Sequence, residues 1–197
     1  MVKRIFDFTF SLLGLFFLSP VLFIIAFLIK VNDYGPIFYR GNRIGKNGQP
    51  FKIFKFRTMV IDAEKIGGPS TADDDPRITK VGKTLRKYKL DELPQLINVC
   101  KGEMSFVGPR PEVKQYVDMF SEEEKQILTV KPGITDWASL WNPDEGATLA
   151  GSPDPEKIYL ENIRPEKIRL QLKYVRERTF LTDIKIILLT FKTILLK

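Results

Sequence analysis

Phe16-Phe17-Leu18-Ser19-Pro20-Val21-Leu22-Phe23 sits in the middle of an uncharged run from Phe8 to Ile29, with Lys3-Arg4 before it and Lys30 at its close. A run of that length is enough to cross a bilayer as a helix. It is too long for the apolar part of a signal peptide, and no small-residue cleavage site follows. A plain spanning helix is one reading. Ser19-Pro20 argues for another. Proline removes a helical hydrogen bond and clashes with the preceding turn, and a neighbouring serine can satisfy the freed carbonyl. The flanks agree: Lys3 and Arg4 precede the run, while Lys30, Arg40, Arg43 and Lys46 follow it. If basic flanks stay cytoplasmic, both ends belong on one side. The preferred reading is a re-entrant helix over residues 1–33, broken at Ser19-Pro20, that enters and leaves the same leaflet. Residues 34–197 then form one body on that face.

The body must work with a restricted chemistry. Among 197 residues there is no histidine and one cysteine, Cys100. That excludes Ser-His-Asp and Cys-His catalysis, a structural disulfide and a Cys/His zinc site. Carboxylates, Lys, Arg and hydroxyls remain, with an oxygen-liganded ion such as Mg²⁺ as the natural metal. A net charge of +7 suggests polyanionic partners: nucleic acid, anionic lipid or a phosphorylated substrate.

Leu90-Asp91-Glu92-Leu93-Pro94-Gln95 is the chemical centre of this reading. Pro94 suits the first turn of a helix, and Leu93, Leu96, Ile97 and Val99 read as a short buried helix that stops at Gly102. Asp91 and Glu92 then lie at its start, which on local grounds alone is also what a helix cap looks like. Lys83, Arg86, Lys87 and Lys89 crowd in from a basic helix over Ile78 to Lys89. Further on, Pro109 and Pro111 restrict the backbone around Arg110, and a preset guanidinium suits bidentate phosphate binding.

The other segments read more coarsely. Pro36 to Tyr39 and Pro50 to Phe56 suggest a hairpin around an Asn-Gly turn spanning Arg43 to Gly48, with Lys52, Lys55 and Arg57 making one arm basic. Asp62 to Asp75 is a loop that suits either a solvated surface or a lid. Glu112 to Val130 has a helical pattern, with Ser121 and Glu124 as a capping box. Trp137 and Trp141 suit either a core or a membrane interface. A polar helix over Pro165 to Arg178 precedes an apolar one over Ile184 to Lys197. In the latter, Lys185 and Lys192 share a face, as in a helix lying on a membrane, although a buried helix would read the same way.

The ordered set of motifs resembles the bacterial sugar transferases, specifically the small monotopic phosphoglycosyl transferases. The resemblance is carried by Lys3-Arg4 with Asp7, Ser19-Pro20, Arg43-Ile44-Gly45, Lys55-Phe56-Arg57-Thr58-Met59 and Arg77 through Gly82. It continues through Leu90 to Gln95, Asn98, Lys101-Gly102, Met104-Ser105-Phe106, Gly108-Pro109-Arg110-Pro111 and Pro132-Gly133-Ile134-Thr135. It implies a mainly α fold with a small β-hairpin, a re-entrant helix and interfacial amphipathic helices, at the cytoplasmic face of the bacterial inner membrane. It implies transfer of a phosphosugar from a UDP-sugar to undecaprenyl phosphate with release of UMP, as the first membrane step of glycan assembly. It further implies Asp91 as nucleophile and Mg²⁺ site, Glu92 as its acid/base partner, and Lys55, Arg57, Arg86 and Arg110 on the substrate phosphates. Anionic lipids are expected partners and nucleic acid is not, because no stacking platform or recognition helix is present.

Two departures stand out. Small members of the family carry Asp in an Asp-x-x-Tyr pattern before the C-terminal helix, where this chain has Gln171 ahead of Tyr174. Asp136, Asp144 or Glu145 are the carboxylates that could replace it. The stretch Asp136 to Asn142 also differs, which suggests an altered sugar pocket. The rival reading is a catalytically silent membrane scaffold, and Gln171 is its best support.

Overall fold

The computed structural model describes residues 1–195. The chain opens with α1 (Val2–Asp33) and continues through β1 (Phe38–Tyr39), β2 (Asn42–Ile44), β3 (Pro50–Lys52) and β4 (Lys55–Phe56) to α2 (Lys80–Lys87), α3 (Gln95–Lys101) and β5 (Ser105–Val107). The second half holds α4 (Lys114–Val117), β6 (Gly133–Thr135), α5 (Trp137–Trp141), α6 (Glu145–Leu149), α7 (Pro155–Ile158), α8 (Arg164–Glu177) and α9 (Phe180–Leu195). Helices dominate, and the described strands form three two-stranded sheets.

The helix α1 runs unbroken through Ser19-Pro20, so the expected break is not an interruption of secondary structure. The physical reason is local. Pro20 cannot donate to the Phe16 carbonyl one turn back, and the Ser19 hydroxyl donates to that carbonyl instead, at 2.7 Å. At 1.5 Å per residue the helix is about 48 Å long. It nevertheless packs on the body near both ends. Lys3 binds Asp183 at 2.6 Å, Arg4 donates to the Val99 and Cys100 carbonyls, and Asp7 accepts from Ser105 and the Phe106 N–H. At the far end Ile25 and Ile29 pack with Phe56 and Leu85, and Asp33 pairs with Arg57. Burying side chains of that size contributes about 1.5–3 kcal/mol each. The opposite face, including Phe8, Leu12, Phe16, Phe23 and Phe27, is exposed, and only 11% of the most apolar window is buried.

The hairpin forms, but its turn is tighter than the sequence suggests. Arg43 and Ile44 belong to β2, paired with Phe51 and Pro50, and the chain reverses over Lys46–Gly48. Asn47 and Gly48 both take positive φ, 57° and 75°, which the primed two-residue turn requires. Beside it, β1 pairs antiparallel with β4. The parallel pair β5–β6 has no local signal in the sequence. It depends on Gly108 and Gly133: a Cβ on Gly133 would sit 2.1 Å from the Gly108 nitrogen.

The continuous helix expected over Glu112 to Val130 is not formed. Only α4 and a 3-10 stretch, Glu124–Thr129, are helical there. The capping box is real, with the Ser121 N–H donating to Glu124 at 2.8 Å and the Glu124 N–H to Ser121 at 3.2 Å. The apolar residues instead fold inward, Phe120 and Ile127 packing on Ile168 and Leu172 of α8. A π-turn over Tyr159–Ile163 joins α7 to α8. In α9, Ile186 is buried against Val107 and Tyr174, while Leu181, Leu188 and Phe191 are exposed. One face of this helix is therefore buried, as a buried helix requires, and the other is apolar and exposed. Its expected last residues, Leu196 and Lys197, lie outside the described residues.

Candidate active site

The site is built by chain reversals between short elements. Two residues past the end of α2, Lys89 takes the left-handed region, at φ 55°, a conformation uncommon outside glycine. The chain then makes a 3-10 turn, Leu90–Glu92, and Pro94 caps α3, which closes at Gly102 with φ 83°. Asp91 and Glu92 thus sit in the turn before the helix, one element earlier than the cap position expected for them. Strand alternation places the next group. In β4, Phe56 points into the core beneath α1, so Lys55 points to the opposite side. There its Nζ donates to Glu92 Oε1 at 2.8 Å.

Arg110 arrives from the turn after β5. Its backbone N–H donates to Asp136 Oδ2 at 3.3 Å, and Asp136 is fixed by the Ser139 N–H and hydroxyl, both at 2.7 Å. The guanidinium forks onto Glu92: Nη1 donates to Oε2 at 3.2 Å and Nη2 to Oε1. This is the bidentate geometry the flanking prolines suggested, directed at a carboxylate of the protein.

The two adjacent carboxylates are in different electrostatic states. Burial alone would raise Glu92, but Arg110 and Lys55 outweigh it and hold Glu92 well below the ordinary range. Burial pushes Asp91 up and the Glu92 charge adds to this, with Lys55, Arg86 and Arg110 offsetting part of the shift. Asp91 is 8% exposed, and among the described residues no donor hydrogen-bonds its carboxylate. Lys55 is pushed down, chiefly by burial. One carboxylate is locked as a counter-ion and its neighbour is left open.

The expected site residues separate into two groups. Asp91, Glu92, Lys55 and Arg110 come together, and Arg86 faces Asp91 across the cleft. Arg57 is not brought to Glu92. Its guanidinium binds Asp33 with both terminal nitrogens and donates to the Pro36 and Met59 carbonyls, so it anchors the end of α1. Ser19 and Pro20 lie in the exposed middle of α1. Gln171 is fully buried behind Arg110, where its Nε2 donates to Asp136 at 3.4 Å while its Oε1 has no partner among the described residues. Asp136 therefore does not replace a reacting carboxylate; it buttresses the Arg110 turn. Asp33, the Asp136–Gln171 pair and a buried Lys167 cluster were not read from sequence, because each joins segments far apart in the chain.

Asp91, Glu92, Lys55, Arg86 and Arg110 line one cleft of about 1480 Å³. Its apolar limb runs between α1 (Phe6, Phe10, Gly14) and α9 (Ile187, Phe191). Its polar limb passes Arg110 to Glu112, Glu145, Tyr159 and Lys167. Among the described residues no three Asp, Glu, Cys or His side chains converge as a metal cage. Mg²⁺ does not need one, since it is typically held by one or two carboxylates together with waters and substrate phosphates. The unbonded Asp91 carboxylate fits that pattern.

The whole chain, residues 1–197, matches the model of the bacterial sugar transferase family, and the protein belongs to that family. It is 35% identical over 98% of its length to the UDP-N-acetylgalactosamine-undecaprenyl-phosphate N-acetylgalactosaminephosphotransferase of Aeromonas hydrophila, covering 44% of that protein. It is 39% identical over 96% of its length to the UDP-glucose:undecaprenyl-phosphate glucose-1-phosphate transferase of Escherichia coli K12, covering 39% of it. With the exopolysaccharide production protein ExoY of Sinorhizobium fredii it shares 36% identity over 98% of its own length and 83% of the relative's. The chain thus spans about two fifths of the first two relatives and most of the third.

Proposed function

We propose that the protein transfers a phosphosugar from a UDP-sugar to undecaprenyl phosphate and releases UMP. The observation that carries this reading is the open Asp91 carboxylate beside a Glu92 fully engaged by Lys55 and Arg110, in a family whose relatives are named for this reaction. Asp91 attacks the sugar-bearing phosphorus; the P–O bond to UMP breaks and UMP leaves with the electron pair. An oxygen of undecaprenyl phosphate then attacks the same phosphorus, and the Asp91 carboxylate is released. Splitting the displacement in this way replaces one hard step by two easier ones. Asp91 would hold Mg²⁺ together with the donor's phosphates, and the ion would neutralise developing phosphate charge.

Within this scheme Lys55, Arg86 and Arg110 balance the diphosphate. The acid/base role expected for Glu92 suits its electrostatics poorly. A carboxylate held this far down carries no proton to donate at neutral pH. Its geometry supports an orienting role, fixing Lys55 and Arg110. Gln171 gives the scaffold reading little support, since it touches Asp136 rather than Asp91.

We place the protein at the cytoplasmic face of the bacterial inner membrane, with α1 re-entrant through a bend at Pro20, which can turn a helix without interrupting it. A helix that crossed the bilayer could not keep residues near both ends on one soluble body, because the hydrocarbon core is ~30 Å thick. Contacts from Lys3 to Asp33 along one side of α1, with an apolar outer face, support immersion from a single side. The test is UMP release from a panel of UDP-sugars with undecaprenyl phosphate and Mg²⁺. Release that requires Asp91 is the expected result; equal release by Asp91→Asn would overturn the mechanism.

A further inference from the structure

The polar limb of the cleft contains buried charges that the reaction above does not use. Lys167 of α8 lies 2.9 Å from Glu112 and 3.1 Å from Glu145, and its Nζ also donates to the Tyr159 hydroxyl at 3.3 Å. The Tyr159 hydroxyl in turn donates to Glu112 Oε1 at 3.3 Å. The Lys167 and Glu112 side chains are 8% and 13% exposed, and that of Glu145, on α6 in the loop after Trp141, is 37% exposed. Burying such a group is costly, and a purely structural pair is often replaceable by apolar side chains. Here the group forms a wall of the cleft, next to Arg110.

Two arguments identify what this wall meets. The first is charge. Two carboxylates face one ammonium, with the Arg110 and Arg43 charges further off, so the cations here are already matched by carboxylates and the wall is rich in acceptors for neutral hydroxyls. Each carboxylate has acceptor capacity beyond the bonds it makes within the cluster. The second is distance along the donor. Arg110 contacts Glu92 on one side and faces Glu112 and Glu145 on the other, so the cluster is the next layer out from the reacting centre. In a UDP-sugar the hexose is one bridging oxygen from the attacked phosphorus, whereas the ribose and uracil lie beyond the second phosphate.

We propose that Glu112, Glu145 and Lys167 read the hydroxyl pattern of the donor sugar and so set which UDP-sugar the protein takes. The inference rests on the UDP-sugar reading above. Glu145 is the residue to vary, because Glu145→Gln removes one charge from a half-exposed position and leaves the Lys167–Glu112 pair intact. Lys167→Met would strand Glu112 and risk unfolding.

The experiment compares kcat/KM for UDP-glucose, UDP-galactose and their N-acetylamino counterparts, with undecaprenyl phosphate and Mg²⁺, in the unaltered protein, Glu145→Gln and Glu145→Ala. Inhibition by UMP is measured alongside. Sites that hydrogen-bond a substrate hydroxyl discriminate strongly, so the preference between the best and worst sugar is expected to fall about tenfold or more. UMP inhibition is expected to stay unchanged. A uniform loss for all four sugars would overturn the assignment in favour of a structural role. A matching loss of UMP inhibition would overturn it in favour of the ribose or uracil. If the unaltered protein releases UMP from none of them, the transferase reading fails first and this one with it.

Discussion

Asp91 and Glu92 are neighbours in the chain, yet neutralising each should have opposite effects on stability. Asp91 is raised above its ordinary 3.8 by burial, so its ionised form opposes folding. That cost is fully present above the raised folded value and fades as pH falls toward 3.8. Asp91→Asn is therefore expected to abolish turnover while raising the melting temperature at neutral pH, a gain that shrinks in acid; thermal melts across pH would show it. Glu92 is depressed in the folded protein, with Arg110 and Lys55 overcoming its burial. Its contribution is present above the unfolded value and is lost as pH falls through the folded one. Glu92→Gln leaves two partly buried cations without their counter-ion and should destabilise by about 2 kcal/mol, read by denaturant unfolding. Much of this was legible in the sequence. The prolines around Arg110 carry a local signature, whereas Asp91-Glu92 alone reads as a helix cap and Lys55 as one lysine of a basic arm, so their roles are legible only through the ordered set of motifs. What Arg110 grips was not legible, because a preset guanidinium suits phosphate and carboxylate equally.

Among the elements, α1 was readable in extent and apolarity, and Ser19 satisfies the carbonyl that Pro20 frees, as its position suggested. Its fastening was not readable. Arg57 stands in a basic run and looks like a phosphate ligand, but Asp33, 24 positions earlier, takes it. The hairpin turn is two residues shorter at its start than its sequence pattern indicates, and the apolar spacing of Glu112 to Val130 suits one helix as well as it suits two turns packed on α8. Arg57→Met should release the C-terminal end of α1. Faster amide exchange over Ile25 to Asp33, with Lys3 to Ser11 still protected, is the expected pattern. Loss of protection along the whole helix would mean that its two ends are not fastened independently.

For the whole molecule, the proposed membrane placement would put the exposed outer face of α1, and with it the exposed Leu181, Leu188 and Phe191 of α9, against lipid. Tags at the two chain ends should be accessible from the cytoplasmic side only. A periplasmic N-terminal tag would restore a simple spanning helix.

The link between Lys3 and Asp183 bears on the order in which the protein is made. It joins residues 180 positions apart, so during synthesis Lys3 waits for α9 before it meets Asp183. Until α9 emerges, Lys3 has no anion to meet there, and the apolar helix must reach the membrane without that anchor. A nascent chain arrested before Asp183 should remain protease-sensitive and extractable by alkali. Synthesis of α9, rather than of α1, would then complete the fastening of α1 to the body.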